Sequence, residues 1–345
     1  MEVHILSFIA REDVGSGIPR YTYQLIRNLL KIAPDINIYV SEYGSNPPTA
    51  FQRWIKRSLF AFKTLNVDAD IHHAVTPHLA WPLMLTLKHP VIVTVHDLFP
   101  LYRDLYRISK LEFHVAKQIL RYSSLILTTA YYWKKELTKH FRIAPDKIIV
   151  AHVGVDLEKF KPMNIVKDEK KKIALYVGGL TKEKGLDILL LAMKYVVKRL
   201  PKAELWVVGK GPHESYFKKL AEKLGIAKHV RFLGFAPENK LPWLYNFADV
   251  FVYPSRTAFG LMLLEAMACG TPVIAFKRFQ VPEYLGEAAI LVEYINIKAL
   301  GKSILSVLTN DSLRQELRKR GLDRVKYFTW DKTARITYEA YKKLA

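Results

Sequence analysis

Residues 253–275 read YPSRTAFGLMLLEAMACGTPVIA. An apolar strand ends at Pro254, a loop delivers Phe259, Gly260 and Leu261, and a helix over 260–269 carries Glu265 to Cys269. Gly270 then closes the helix and Pro272 leads into the next strand. A strand that returns through a helix pairs parallel to its predecessor, since antiparallel neighbours need only a tight turn. Working outward, the same alternation fills the chain. Val- and Ile-rich strands are expected at 3–9, 36–40, 71–74, 91–95, 125–129 and 148–152. A second series follows at 173–177, 204–208, 230–232, 250–253, 273–275 and 289–292. Amphipathic helices are expected at 21–32, 110–121, 134–141, 186–200, 213–224 and 312–327. The break at 156–172 contains Pro162 and a charged run, as a linker would. The fold class is therefore α/β, two Rossmann-like doubly wound domains facing across a cleft. The domains are expected at 1–160 and 161–330, with a C-terminal helix in 331–345 packing back toward the first.

Composition agrees and narrows the classes. The 345 residues are too many for one ordinary core, and half are apolar. The longest apolar stretch, near 79–87, is too short to span a bilayer, and residues 1–9 read as a strand with no secretory signal. One cysteine, Cys269, excludes an intrachain disulfide framework, and the expected compartment is the cytoplasm. The net charge is +21, with 20 basic and 14 acidic residues up to Phe160 against 33 and 18 beyond it. Such an excess attracts phosphates, nucleic acid or an anionic membrane surface. No nucleic acid partner is expected, because no RNA- or DNA-binding spacing and no basic tail is present. High lysine content also suits a hot-living source.

Three loops at strand ends carry the candidate chemistry. The first holds Gly15 and Gly17 before Arg20-Tyr21 opens a helix; glycines admit a ligand to the backbone, though many such turns are purely geometric. The second is GGLTKEKG at 178–185, where Lys182 and Lys184 can reach a phosphate without forming a P-loop. The third is the opening segment, in which Gly260 suits a diphosphate. Glu265 sits in an apolar helix, where it accepts hydroxyl hydrogen bonds or pairs with a buried cation. His96-Asp97 follows the strand at 91–95, where His96 either meets a sugar or is a satisfied core histidine. Asp68-Ala69-Asp70 and the cluster His72, His73, His78 invite a metal, but neither has supporting partners at ligand spacing, so none is expected.

The segments SGIPRYTYQLIRNL, VTVHDLFPL, YVGGLTKEKGLDILLLAM, ADVFVYPS, FGLMLLEAMACGTPVIA and FTWDKTA, in this order, resemble family four of the glycosyltransferases, of the GT-B fold. The resemblance covers nearly the whole chain. It implies a retaining, metal-independent transfer from a nucleotide diphosphate sugar, with no cofactor. GIPRY with VHDL is most similar to the mannosyltransferases, favouring GDP-mannose over a UDP-sugar. It implies donor-side roles for Gly15, Gly17, Gly179, Lys182, Lys184, Arg256, Thr257, Phe259, Gly260, Leu261 and Glu265. His96, Lys184 and Glu265 would carry catalysis, with Arg20, Tyr21, Asp97 and Arg103 on the acceptor side.

Three positions depart from the family pattern. Thr257 stands where a first glutamate usually precedes Glu265, Gly179 where an arginine often precedes the phosphate-binding lysine, and Val153 where an asparagine is common. Lys182 or Arg256 is left to supply the second cation. The acceptor is expected to be a glycan or a lipid-linked molecule. Phe51, Trp54, Ile55, Leu59 and Phe62 form a helical stripe beside Arg53, Lys56, Arg57 and Lys63, and residues 101–121 mix Tyr102 and Tyr106 with basic residues. Such stripes dock on anionic bilayers or face a core, and a peripheral place on the inner face of the cell membrane is the expectation. The alternatives are a nucleotide-sugar epimerase of the same fold and a degenerate transferase acting as a binding subunit.

Overall fold

The computed structural model describes residues 1–8, 17–44, 59–64, 66–98, 110–166, 171–257 and 260–345. Gly15, Arg103, Phe259, Phe51, Trp54, Ile55, Tyr102 and Tyr106 lie outside them. The chain packs as two units, Met1–Gly154 with Trp330–Ala345, and Val155–Thr329. At the boundary the two crossing segments pair within the second unit, Val155 bridging Thr329 and its N–H donating to the Phe328 carbonyl at 3.0 Å.

The first unit holds a parallel sheet of six strands, β1 (Glu2–Ser7), β2 (Asn37–Glu42), β3 (Ile71–Ala74), β4 (Val91–Val95), β5 (Leu125–Thr128) and β6 (Ile148–Val150), in the order β2-β1-β3-β4-β5-β6. The second repeats the plan with β7 (Lys172–Val177), β8 (Ala203–Val208), β9 (Val230–Gly234), β10 (Val250–Tyr253), β11 (Val273–Phe276) and β12 (Ile290–Val292), ordered β12-β11-β10-β7-β8-β9. Each expected strand is found, those at 71–74, 91–95 and 250–253 with the expected bounds and the others shifted by a residue or two at their ends. Inner strands such as β4 and β10 are buried at every position, which is why they read as unbroken apolar runs. Helix Leu186–Arg199 buries eight side chains, from Leu186 to Val197, in the core of the second unit, shared with helix Ile297–Thr309 and the sheet.

Two helical expectations are corrected. The helix expected over 260–269 spans Met262–Ala268, after Leu261 as its cap, so Glu265 falls in the first turn and not deeper. The helix expected from 134 begins at Tyr131 and passes into a π-turn at Leu137–Phe141. Helix Trp330–Lys342 closes the first unit, with Trp330 and Tyr341 buried and the Thr333 hydroxyl donating to the His152 carbonyl at 2.6 Å.

Polar side chains inside the first sheet are paired. His4 Nδ1 lies 3.1 Å from His72 Nδ1, and His4 Nε2 lies 2.8 Å from Ser41 Oγ. His73 bonds Tyr341 Oη through Nδ1 and Thr94 Oγ1 through Nε2, both at 2.7 Å. Both ring nitrogens of His73 are thus occupied by hydroxyls, and among the described residues no group of three His, Cys, Asp or Glu is gathered for a metal. Asp70 Oδ2 accepts from the Glu2 N–H at 2.8 Å and Asp68 lies 3.5 Å from Lys88 Nζ, so this pair anchors the start of β1 and a neighbouring turn.

Burial holds His4 and His72 neutral, with pKa lowered to about 4, and His73 to about 3. The unfolded chain binds these protons near pH 6.5 and the folded one does not. Stability is therefore full above pH 6.5 and falls as the pH drops from there toward 4. The slope is at most about 1.4 kcal/mol per pH unit for each imidazole. Urea denaturation from pH 7.5 to 4.5 checks this; a midpoint that stays flat below pH 6.5 contradicts it.

Candidate active site

In the second sheet the chain order reverses between β7 and β10. Their following loops leave in opposite directions, and the crevice at the carboxyl ends of such strands is where doubly wound sheets bind ligands. Both loops carry candidate residues. After β7, Gly178 N–H donates to the Val208 carbonyl and Leu180 N–H to the Lys210 carbonyl, each at 3.0 Å, and Tyr176 Oη donates to the Gly179 carbonyl at 3.0 Å. A short turn, Lys182–Lys184, then leads to Gly185 with φ +74°. A Cβ there would stand 1.9 Å from the Pro254 carbonyl oxygen, so only glycine lets the two loops meet.

After β10, the Ser255 hydroxyl accepts from the Thr257 N–H at 3.1 Å and lies 3.0 Å from Thr257 Oγ1. Lys184 Nζ reaches the same Thr257 hydroxyl at 3.5 Å. Thr257 is buried and Lys184 half-buried, so the retained lysine faces a hydroxyl at the position of the missing glutamate. Arg256 does not stand as a free second cation. Its guanidinium forks onto Asp187 with bonds of 2.9 and 2.8 Å and also donates to the Lys182 carbonyl. Lys182 is exposed, with Nζ 5.3 Å from the centre of the Tyr216 ring.

Gly260 and Leu261 precede helix Met262–Ala268. Glu265 in that helix is buried, and its Oε2 accepts from Tyr245 Oη at 2.9 Å. Tyr245 is itself fixed, its carbonyl accepting from Thr271 Oγ1 at 2.7 Å. The carboxyl group is thus held in place by a phenol. The Tyr245 role was not signalled by spacing, because twenty residues separate it from Glu265. The loop Gly209-Lys210-Gly211-Pro212 after β8 was also passed over, although its glycines follow a strand and precede a helix. Gly209 has φ +137°, and a Cβ there would stand 1.9 Å from the Gly178 carbonyl oxygen, so this loop backs the 178–185 turn.

In the first unit the reversal lies between β1 and β3. Gly17 opens helix Gly17–Ile32, and, its own chain neighbours apart, no atom of the described residues lies within 4 Å of where its Cβ would stand. His96, after β4, donates from Nε2 to the Val75 carbonyl at 3.0 Å, with its pKa lowered to about 4 by burial. A neutral imidazole with the proton on Nε2 keeps its lone pair on Nδ1, available to accept from a hydroxyl. Tyr21 is buried edge-on to His96 at 4.5 Å and to Trp330 at 5.8 Å, so it supports the imidazole from inside the core. Arg20 and Asp97 are half-buried in the same unit.

Residues 15–159 match the family model Glycosyltransferase Family 4, and residues 158–324 match Glycosyl transferases group 1. The chain is 29% identical over 268 residues to O-antigen chain mannosyltransferase B of Escherichia coli, covering 73% of this chain and 70% of that one. Sucrose-phosphate synthase from Thermosynechococcus elongatus superposes with a TM-score of 0.86 at 22% identity, covering 100% of this chain and 99% of that one. Anabaena HepE, solved with UDP and glucose, gives 0.77 at 17% identity, over 99% and 100%. With two doubly wound parallel sheets and two family models that together span residues 15–324, the chain belongs to family four of the glycosyltransferases and has their GT-B fold.

Proposed function

We propose that the protein transfers mannose from GDP-mannose, with retention and without a metal, to a glycan or lipid-linked acceptor. The observation that carries this reading is the convergence of Lys184, Thr257 and the 178–185 turn at the reversal of the second sheet. As the sugar C1–O bond to the diphosphate breaks, negative charge grows on the leaving phosphate, and Lys184 with nearby N–H groups stabilises it. The acceptor oxygen bonds to C1 on the same face, and its proton passes to the departing phosphate. Glu265 holds the ribose hydroxyls, oriented by Tyr245. His96, with its lone pair on Nδ1, accepts from a sugar hydroxyl near the reacting carbon.

The mannosyltransferase relative supports mannose as the sugar, and the UDP in the Anabaena structure makes UDP-sugars the necessary comparison. A thermal-shift panel should show more stabilisation by GDP-mannose than by UDP-glucose or UDP-galactose. Lys184→Ala should remove most of that shift, a loss of roughly 1.5–3 kcal/mol in donor binding for a charge-assisted contact. A larger shift with a UDP-sugar overturns the donor assignment, and an unchanged Lys184→Ala overturns the phosphate site.

Glu265 allows a separate test. Glu265→Gln keeps the shape and the Tyr245 contact but alters the acceptor capacity, so donor affinity should fall while the melting temperature holds. A mutant that melts early and binds normally would make Glu265 a packing residue only.

We further propose that the protein works at the inner face of the cell membrane as a peripheral enzyme. Among the described residues no helix is long and apolar enough to cross a membrane. Leu59 is 61% and Phe62 is 70% exposed beside Lys63, and the net charge of +21 adds attraction to anionic lipid. The protein should sediment with vesicles containing phosphatidylglycerol and not with phosphatidylcholine vesicles, and salt should release it. Recovery that is equal with both vesicles removes the proposal.

A further inference from the structure

We infer that Asp187 and Arg256 form a positioning latch that sets Lys184 against Thr257, and that Arg256 is not itself a phosphate ligand. The inference rests on the reading that a donor diphosphate binds at the 178–185 turn. Four bonds tie one short segment to Arg256. Its side chain forks onto both carboxylate oxygens of Asp187, at 2.9 and 2.8 Å, and donates to the Lys182 carbonyl. Its backbone N–H donates to the Glu183 carbonyl at 2.9 Å. Residues 182, 183 and 187 are therefore fixed to the residue preceding Thr257, and Lys184 lies between those anchors. The pair is only about one-fifth exposed on either side chain. Lysine could not replace the arginine, because only a planar guanidinium reaches two carboxylate oxygens and a carbonyl at once.

Electrostatics separate the two roles. Asp187 cancels the charge of Arg256, whereas the Lys184 ammonium donates to a hydroxyl, that of Thr257. If Arg256 were a phosphate ligand, removing the Asp187 charge would free it and tighten binding. If it is a latch, removing either partner loosens the turn and weakens binding.

Titration calorimetry of the full chain with GDP and UDP decides between them. Asp187→Asn and Arg256→Ala should each weaken whichever diphosphate the wild type binds by about ten-fold, and the double variant should be no worse than either, as expected for one coupled unit. Arg256→Lys, the milder change, keeps the charge and should still weaken binding. The loss should be greater for the diphosphate than for the matching monophosphate, a ratio that general loosening of the fold would leave unmoved. Melting curves identify any variant that fails to fold. Tighter binding by Asp187→Asn, near wild-type binding by Arg256→Lys, or additive losses in the double variant would overturn the latch. A wild type that binds neither GDP nor UDP would remove the reading of the site itself, and the latch with it.

Discussion

At Gly185 the backbone passes so close to Pro254 that a Cβ would meet the carbonyl oxygen at 1.9 Å. The candidate donor site depends on that approach. The sheet order makes β7 and β10 neighbours, but neighbouring strands alone leave their loops free to diverge. A left-handed glycine turns the chain down onto the next loop, and the Asp187–Arg256 pair then joins the two segments beside it. Lys184 gains its position relative to Thr257 from this packing and not from the sequence between them, which runs through three strands.

The two units share one topology and treat polar groups differently. In the first sheet the buried histidines are neutral, with both ring nitrogens of His73 engaged by hydroxyls and those of His4 by His72 and Ser41. Such a network fixes one arrangement of the core and contributes no charge to a ligand. His96 differs in being half-buried at a strand end, with one nitrogen committed to a carbonyl. In the second unit charge is kept at the loop ends, where Lys184 is half-buried and Glu265 lies a helix away under Tyr245. On the proposed reading, this separation would let one end of a nucleotide diphosphate meet a cation and the other a hydrogen-bond acceptor.

Most of the fold was legible because parallel strands buried on both faces leave unbroken apolar runs, such as IALYV at 173–177. Three short helices, Trp81–Leu85, Leu241–Phe247 and Val281–Leu285, were harder to see. Each is only one or two turns long, too short for a helical period to show, and each carries proline in its first turn, at Pro82, Pro242 and Pro282. At the site, Lys184 and Glu265 could be singled out because a cation in a glycine turn and an acid in an apolar helix each violate a local rule. Tyr245 and Asp187 could not. Each looks ordinary in its own helix, and its role exists only through a partner distant in sequence, Glu265 or Arg256.

The departures at Gly179 and Thr257 bear on each other. Among the described residues a Cβ at Gly179 would meet nothing within 4 Å, so they do not demand glycine there and leave a longer side chain room to start. Relative to the family pattern, the chain lacks an arginine at one position and a glutamate at the other. One positive and one negative charge are lost together, so the net charge of the site is unchanged. What changes is its distribution. Lys184 faces a neutral hydroxyl at 3.5 Å, so on the proposed reading its charge would be less compensated toward a donor phosphate than it would be beside a carboxylate. On that reading a less shielded ammonium would offset the missing guanidinium, while the sugar side would meet a hydroxyl where a stronger acceptor is expected.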